Sequence, residues 1–400
     1  MTPAPSPAQP AGRDHRVDFW RGIALAMIFV NHVPGNLWEN YTSRNFGFSD
    51  SAELFVFLAG FASAFAYARP FLAGDRLRVT VKAWRRAGVL YLVHATLTLA
   101  AIAILCWGAL VLGNGSLLET IGMRQFIEQP LEAMVGFAIL GHQLGYVNIL
   151  PMYSAILLML PAILALARLG KGVMLAASGT LWLLAYAFGL NIPAYPLPGG
   201  WFFDPFSWQF LFTIGLYCGL CRLEGVSPLP HRRWIMALAL AFCFAAFLTA
   251  RYELFDRWTA IPLPTLLVGF DKTYVSVPRL LHVLALVYIF AHPARRSPLR
   301  QISAGNVFTM MGRHSLPVFA TGTVLSLLGQ VVKFGEGPNL VFDTLLVAVG
   351  IGLQVALAAW LDWWRQNGKR RPKGTPAPAP ASLPVGERAP YGTQAAPRQA

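Results

Sequence analysis

Residues 17–32 read V-D-F-W-R-G-I-A-L-A-M-I-F-V-N-H, an apolar run with Asp18 and Arg21 at its entrance and His32 at its far end. As a helix, each residue turns the chain by about 100° and lifts it by about 1.5 Å. Arg21 and His32 then differ by only about 20° around the axis and about 16 Å along it. Asp18 falls within about 40° of the same line. One face of one helix therefore carries an acid, a guanidinium and an imidazole. Polar groups on a membrane helix are costly and mark function by default.

The composition says that this helix does lie in a membrane. Of 400 residues, 56% are hydrophobic and 12% charged, where a soluble chain has roughly 25% charged. The net charge of +14 is not a nucleic-acid signature, because the basic residues sit in short loops between apolar runs. Cys106, Cys218, Cys221 and Cys243 lie in or beside those runs and read as buried thiols. Cys218-x-x-Cys221 is half a metal or redox motif that no second pair completes, so no metal is expected. Arg13 and Arg16 before an apolar run imitate a signal peptide. No small-x-small cleavage site follows, and the polar stripe breaks the run's character, so the segment is expected to stay as a membrane helix.

Apolar stretches long enough to span occur at 17–35, 52–69, 87–112, 149–167, 172–190, 206–221, 234–250, 277–292, 308–331 and 341–364. An eleventh, 132–147, is short, holds His142 and two glycines, and runs into a break at Pro151. It reads as a re-entrant or interfacial piece. With ten spans and a cytoplasmic N-terminus, the loops at 13–16, 69–86, 168–171, 222–233, 295–300 and 365–373 fall inside. They carry about three times the Lys and Arg of the outer loops. Eleven spans would put the later basic loops outside. The expectation is therefore an all-α polytopic membrane bundle of about ten helices with both termini cytoplasmic. Residues 1–12 form a Pro/Ala-rich disordered tail, 13–365 one transmembrane domain, and 366–400 a basic Pro/Ala-rich disordered tail.

Two clusters invite chemistry. At the outer level, Asn31 sits beside His32, and the next span opens with Ser49, Asp50 and Glu53. A carboxylate near an imidazole fixes its tautomer and raises its basicity, as a general base acting on a hydroxyl requires. At the inner level, loop 69–86 is the most basic on the chain, and Arg85 and Arg86 open the third span. Guanidinium groups there can fork onto phosphate, making a landing site for a phosphorylated donor. The break Asn148-Ile-Leu-Pro-Met-Tyr153 must be buried in protein or line a cavity. Asp271-Lys272-Thr-Tyr, with Arg279 and His282, and Gly312-Arg-His-Ser-Leu-Pro317 are further polar knots. Trp201 and Trp208 read as interfacial belt residues.

D-F-W-R-G-I-A-L-A-M-I-F-V-N-H resembles the first-helix signature of acyltransferase-3-type membrane acyltransferases, an arginine and a histidine separated by ten residues. E-L-F-V-F-L-A-G-F, residues 53–61, looks like their second-helix motif. More narrowly, R-N-F-G-F-S-D-S-A-E-L-F, N-I-L-P-M-Y, F-F-D-P-F-S-W-Q-F-L-F, D-K-T and G-R-H-S-L-P-V-F resemble OpgC-type domain proteins of Gram-negative bacteria, over residues 13–335. Asn148 departs from that pattern, which carries aspartate there. The resemblance implies O-acylation of a periplasmic or surface glycan, the named example being succinylation of osmoregulated periplasmic glucans. It also implies a cytoplasmic acyl-CoA (succinyl-CoA in that example) as donor, a catalytic His32, and Arg21 in donor binding or in holding the fold.

The expectation is thus an acyltransferase of the bacterial inner membrane with no bound cofactor. His32 is the general base, oriented by Asp50 or Glu53. Arg21, Arg85, Arg86, Asp18, Asn31, Ser49, Tyr153, Lys272, Arg279 and His282 bind donor or acceptor. The partners are acyl-CoA, a glycan and the lipid bilayer, with no nucleic acid; a homodimer is left open. The alternative is a transporter or flippase with Arg21 and His32 as substrate or proton sites, and a third reading is a scaffold for a glucan synthase.

Overall fold

The computed structural model describes residues 14–294 and 296–369. Both expected tails lie largely outside these residues. Helices are the only regular elements among the described residues, apart from one isolated bridge between Pro193 and Gly200. The main helices are α1 (His15–Asn31), α2 (Ser51–Leu72), α3 (Arg76–Leu112), α4 (Pro130–Ala138), α5 (Ile149–Leu169), α6 (Lys171–Phe188), α7 (Pro205–Leu223), α8 (Arg233–Arg251), α9 (Val277–Ala291), α10 (Val307–Arg313), α11 (Ser315–Lys333) and α12 (Leu340–Lys369).

Seven helices among the described residues are long and apolar enough to cross a membrane: α2, α3, α5, α6, α8, α11 and α12. The other three expected spans are helices too, but shorter or more polar. α1 has 17 residues, α7 has 19 and α9 has 15. α1 and α9 fall short in length, whereas α7 is long enough and falls short in hydropathy. α1 buries Asp18, α7 buries Ser207, Gln209 and Thr213, and α9 buries His282. Ser207 and Gln209 are hydrogen-bonded inside the protein, so hydropathy undercounts α7.

Local chemistry sets the ends. Asp14 caps α1 by accepting from the Arg16 N–H at 3.1 Å, and α1 stops at His32, two residues before Pro34. Asp50 caps α2 in a reciprocal box, with the Glu53 carboxylate accepting from the Asp50 N–H at 2.9 Å. α2 loosens into a π-helical turn over Ala64–Ala68 before closing at Leu72. α4 has nine residues, about 14 Å of helix against a hydrocarbon core of about 30 Å, so this piece does not cross as a helix.

Three expectations are corrected. The basic stretch 69–86 is mostly helix, since α3 begins at Arg76; Arg, Lys, Leu and Ala are all good helix formers. The span 308–331 is broken at His314 into α10 and α11, because the Pro317 ring conflicts with the carbonyl four residues earlier. Trp201 and Trp208 are buried, not interfacial. The Trp208 indole N–H donates to the Lys272 carbonyl at 3.0 Å, tying α7 to the D-K-T turn.

Small residues bring the central helices together. α1 lies against α10 so closely that a Cβ on Gly22 would strike the Phe308 carbonyl, and one on Gly312 the Asp18 carbonyl. α2 and α7 meet the same way through Gly60 and Gly215. Gly215→Leu is therefore expected to cost at least ~2 kcal/mol by overpacking, seen as a lower apparent Tm of the purified protein in detergent. An unchanged Tm would contradict this packing.

Candidate active site

The α1 stripe is real, and two cavities lie along it. The first, about 150 Å³, is lined by Arg21, Ile28, Phe55, Arg86, Tyr153 and Ser315, among others. The second, about 420 Å³, is lined by Ile28, Asn31, His32, Arg44, Asp50, Tyr146, Phe202 and Lys272, among others. Ile28, Ile149 and Phe319 line both, so the two cavities share an apolar wall about one turn before His32. Arg21 lines the first cavity and His32 the second.

At the Arg21 end, the guanidinium donates to the Leu58 carbonyl at 3.0 Å and lies 3.8 Å from Asp18. Asp18 thus supports Arg21 rather than lining the cavity. Arg86 faces the cavity, while Arg85 is exposed. Adjacent helical residues point about 100° apart, so the pair cannot act together. Tyr153 does reach the cavity, and so does Ser315 at the first turn of α11, which the sequence analysis had not assigned.

At the His32 end, Asn31, Asp50 and Lys272 line the cavity as expected. Lys272 bonds the Asp50 carboxylate, and the Arg279 guanidinium lies 3.7 Å from it. Burial opposes ionisation of Asp50, just outside its span. The Lys272 ammonium and the Arg279 guanidinium outweigh that and hold its carboxyl below the usual carboxylate range.

Glu53, Arg279, Ser49 and His282 lie behind this wall, not in it. Glu53 is fully buried, and Arg279 donates to Glu53 Oε1 from Nε at 2.7 Å, with a second guanidinium nitrogen 2.5 Å from the same oxygen. The Ser49 N–H donates to His282 Nδ1 at 3.2 Å, and the Ser49 hydroxyl lies 2.7 Å from the same nitrogen. Nδ1 is thus an acceptor, and the proton of the neutral ring sits on Nε2. This layer fixes the segment that presents Asp50. Arg279→Met would strand a buried carboxylate, and removing one partner of such a pair costs about 3–5 kcal/mol. The expected result is a clear fall in Tm and in the yield of folded protein; retention of both would contradict it.

The expected carboxylate–imidazole pair does not form. Neither Asp50 nor Glu53 accepts a hydrogen bond from His32, and His32 Nδ1 is buried with no hydrogen-bond partner among the described residues. Glu53 is turned back onto its own helix cap and Arg279, which uses up its oxygens. The imidazole instead lies against the Tyr146 ring, with centroids 4.1 Å apart.

Sequence reasoning missed Tyr146, Arg44 and Phe319 as parts of the site. The nearby N-I-L-P break was the one available signal. Gly145, Tyr146 and Asn148 all line the second cavity, as freed backbone at that depth should.

What the arrangement offers is two neighbouring cavities with a shared apolar wall, one lined by Arg21 and Arg86 and the other by His32 with Arg44, Asp50 and Lys272. No curated protein and no solved structure matches the chain. The family described as OpgC protein matches residues 13–366, nearly all of the described helices, and the chain therefore belongs to the OpgC family.

Proposed function

We propose that this protein is a glucan-modifying O-acyltransferase of the bacterial inner membrane, which takes an acyl group from cytoplasmic acyl-CoA and esterifies a periplasmic or surface glycan. Family membership supports acyl transfer to a glucan. The single observation that carries the geometry is the pair of neighbouring cavities that share Ile28, Ile149 and Phe319 in their walls. In the proposed topology, α1, α2, α3 and α5–α9 each cross, α10 with α11 and then α12 complete ten spans, and both chain ends are cytoplasmic. The basic loops then lie inside, and Arg21 and Arg86 face the compartment that holds acyl-CoA.

Arg86 and Arg21 attract the donor's phosphates by charge and by forked hydrogen bonds. The thioester arm runs along the apolar wall that the two cavities share, toward His32. At the far end His32 takes the proton of a glycan hydroxyl while its oxygen attacks the thioester carbonyl. The C–O bond forms, the C–S bond breaks, and the coenzyme A thiolate leaves. Its return to the cytoplasmic side frees the cavities, and His32 gives its proton back to solvent. Holding acyl carbon and hydroxyl together in one cavity removes much of the entropic barrier. The acyl group of the named family example, succinyl, is the first donor to try.

The test uses sealed membrane vesicles of both orientations, with acyl-CoA added outside and glycan enclosed. Ester should form only in inside-out vesicles. Ester in neither orientation, together with solute uptake that needs no acyl-CoA, would favour a transporter, which could use the same cavities.

A further inference from the structure

Accepting that His32 is the reacting base, we propose that Tyr146 is the residue that positions it, by face contact rather than through a carboxylate. Four observations converge on this role.

The first is what holds His32. Its N–H donates to the Ile28 and Phe29 carbonyls at 3.1 and 3.2 Å, and its carbonyl accepts from the Gln330 amide at 2.7 Å. The backbone is fixed, so only the imidazole's own torsions remain. Nδ1 has no hydrogen-bond partner among the described residues. Torsions of that kind sit in broad wells unless a neighbour narrows them.

The second is the contact itself. The Tyr146 ring lies 4.1 Å from the imidazole with 38° between the planes. Both residues line the same cavity. The tyrosine therefore covers one face of the histidine and leaves it in the space where a hydroxyl would arrive.

The third is the backbone at Tyr146. Its φ is +71°, a region that suits glycine and is unusual for an aromatic residue. Such strain persists only where the surroundings over-determine it, and it concentrates at functional sites.

The fourth is that those surroundings are present on both sides. The Gly145 N–H donates to the Ile121 carbonyl at 2.8 Å, and the Val147 carbonyl lies 3.3 Å from His94 Nδ1. The residues before and after Tyr146 are pinned, so its backbone holds the Cα–Cβ direction that brings the ring to His32. A glycine would relax the turn; the chain instead places a large ring at a position where glycine costs less.

The test compares Tyr146→Phe, Tyr146→Ala and Tyr146→Gly in purified full-length protein, assayed for acyl transfer. Misplacing a reacting group by about 1 Å can cost on the order of 100-fold in rate. The Ala and Gly variants should therefore lose about that much in kcat while the acyl-CoA KM stays close to wild type, and Tyr146→Phe should restore the rate. Tyr146→Gly should also have a Tm at or above that of Tyr146→Ala, because glycine relieves the strained φ. A purely structural role predicts that the more stable variant is the more active one.

A second readout needs no activity. Diethyl pyrocarbonate modifies neutral imidazole, and mass spectrometry follows the His32 peptide. Modification should speed up in the Ala and Gly variants and not in Phe, with the His94 and His282 peptides unchanged as internal controls. Wild-type kcat in Tyr146→Ala or Tyr146→Gly, or unchanged His32 labelling, overturns the proposal. An active His32→Ala protein would instead overturn the reading on which it rests, so the two failures are told apart.

Discussion

His32→Ala is expected to lower acyl transfer by about 100- to 10,000-fold, the range a positioned general base supplies. The protein should still insert and fold. His32 sits at the C-cap of α1, and its helix and tertiary bonds are made by its backbone, including the carbonyl that accepts from Gln330. Its side chain makes no hydrogen bond through Nδ1. The loss should therefore appear in kcat with little change in Tm. His32→Asn should be as inactive as His32→Ala, because an amide cannot take up the proton. A His32→Ala protein with wild-type turnover would remove the imidazole from the chemistry.

The second large effect belongs to the donor end, where two adjacent arginines behave differently. Arg86 lines the first cavity and Arg85 is exposed. Removing one charge-assisted contact to phosphate costs about 1.5–3 kcal/mol. Arg86→Met is therefore expected to raise the acyl-CoA KM by about 10- to 150-fold. Arg85→Met should move it by less than about threefold, since exposed charges contribute little. Steady-state kinetics at varied acyl-CoA and saturating acceptor separates the two. Equal effects of both substitutions would mean that the donor lies along the outside of α3 and not in the cavity. Raising the ionic strength should weaken donor binding to wild type more than to Arg86→Met.

How far the sequence carried is clearest residue by residue. The polar stripe of α1 was legible because helical periodicity alone puts Arg21 and His32 on one line, and the two cavities follow that line through Ile28. The break was legible but misplaced: Asn148 caps α5 and residues 149–153 open that helix, while the irregular backbone at the cavity is Gly145, Tyr146 and Asn148. Glu53 was misread although the signal was there. Asp50-Ser-Ala-Glu53 is a capping box by spacing, and a glutamate that closes such a box is turned away from the preceding helix.

Other residues were hidden for a different reason. Tyr146 reaches His32 only through a left-handed backbone position in a non-glycine residue, and no local pattern announces that. Trp208 at a helix end carries the default reading of an interfacial anchor, but its N–H finds the Lys272 carbonyl 64 residues away. The difference between Arg85 and Arg86 depends on the rotation of α3, which is fixed by its packing against α5 and α11. Contacts between distant segments decide all three, and sequence spacing does not encode them.

The central claim is that this chain puts an acyl ester on a glycan through His32. The most direct test is mass spectrometry of periplasmic and surface glycans from cells expressing the wild type, His32→Ala, or neither, at matched membrane levels. The account predicts an ester mass increment that mild alkali removes, present with the wild type alone, whose size names the acyl group. The same glycan masses in all three cultures, or an increment that survives His32→Ala, would contradict it.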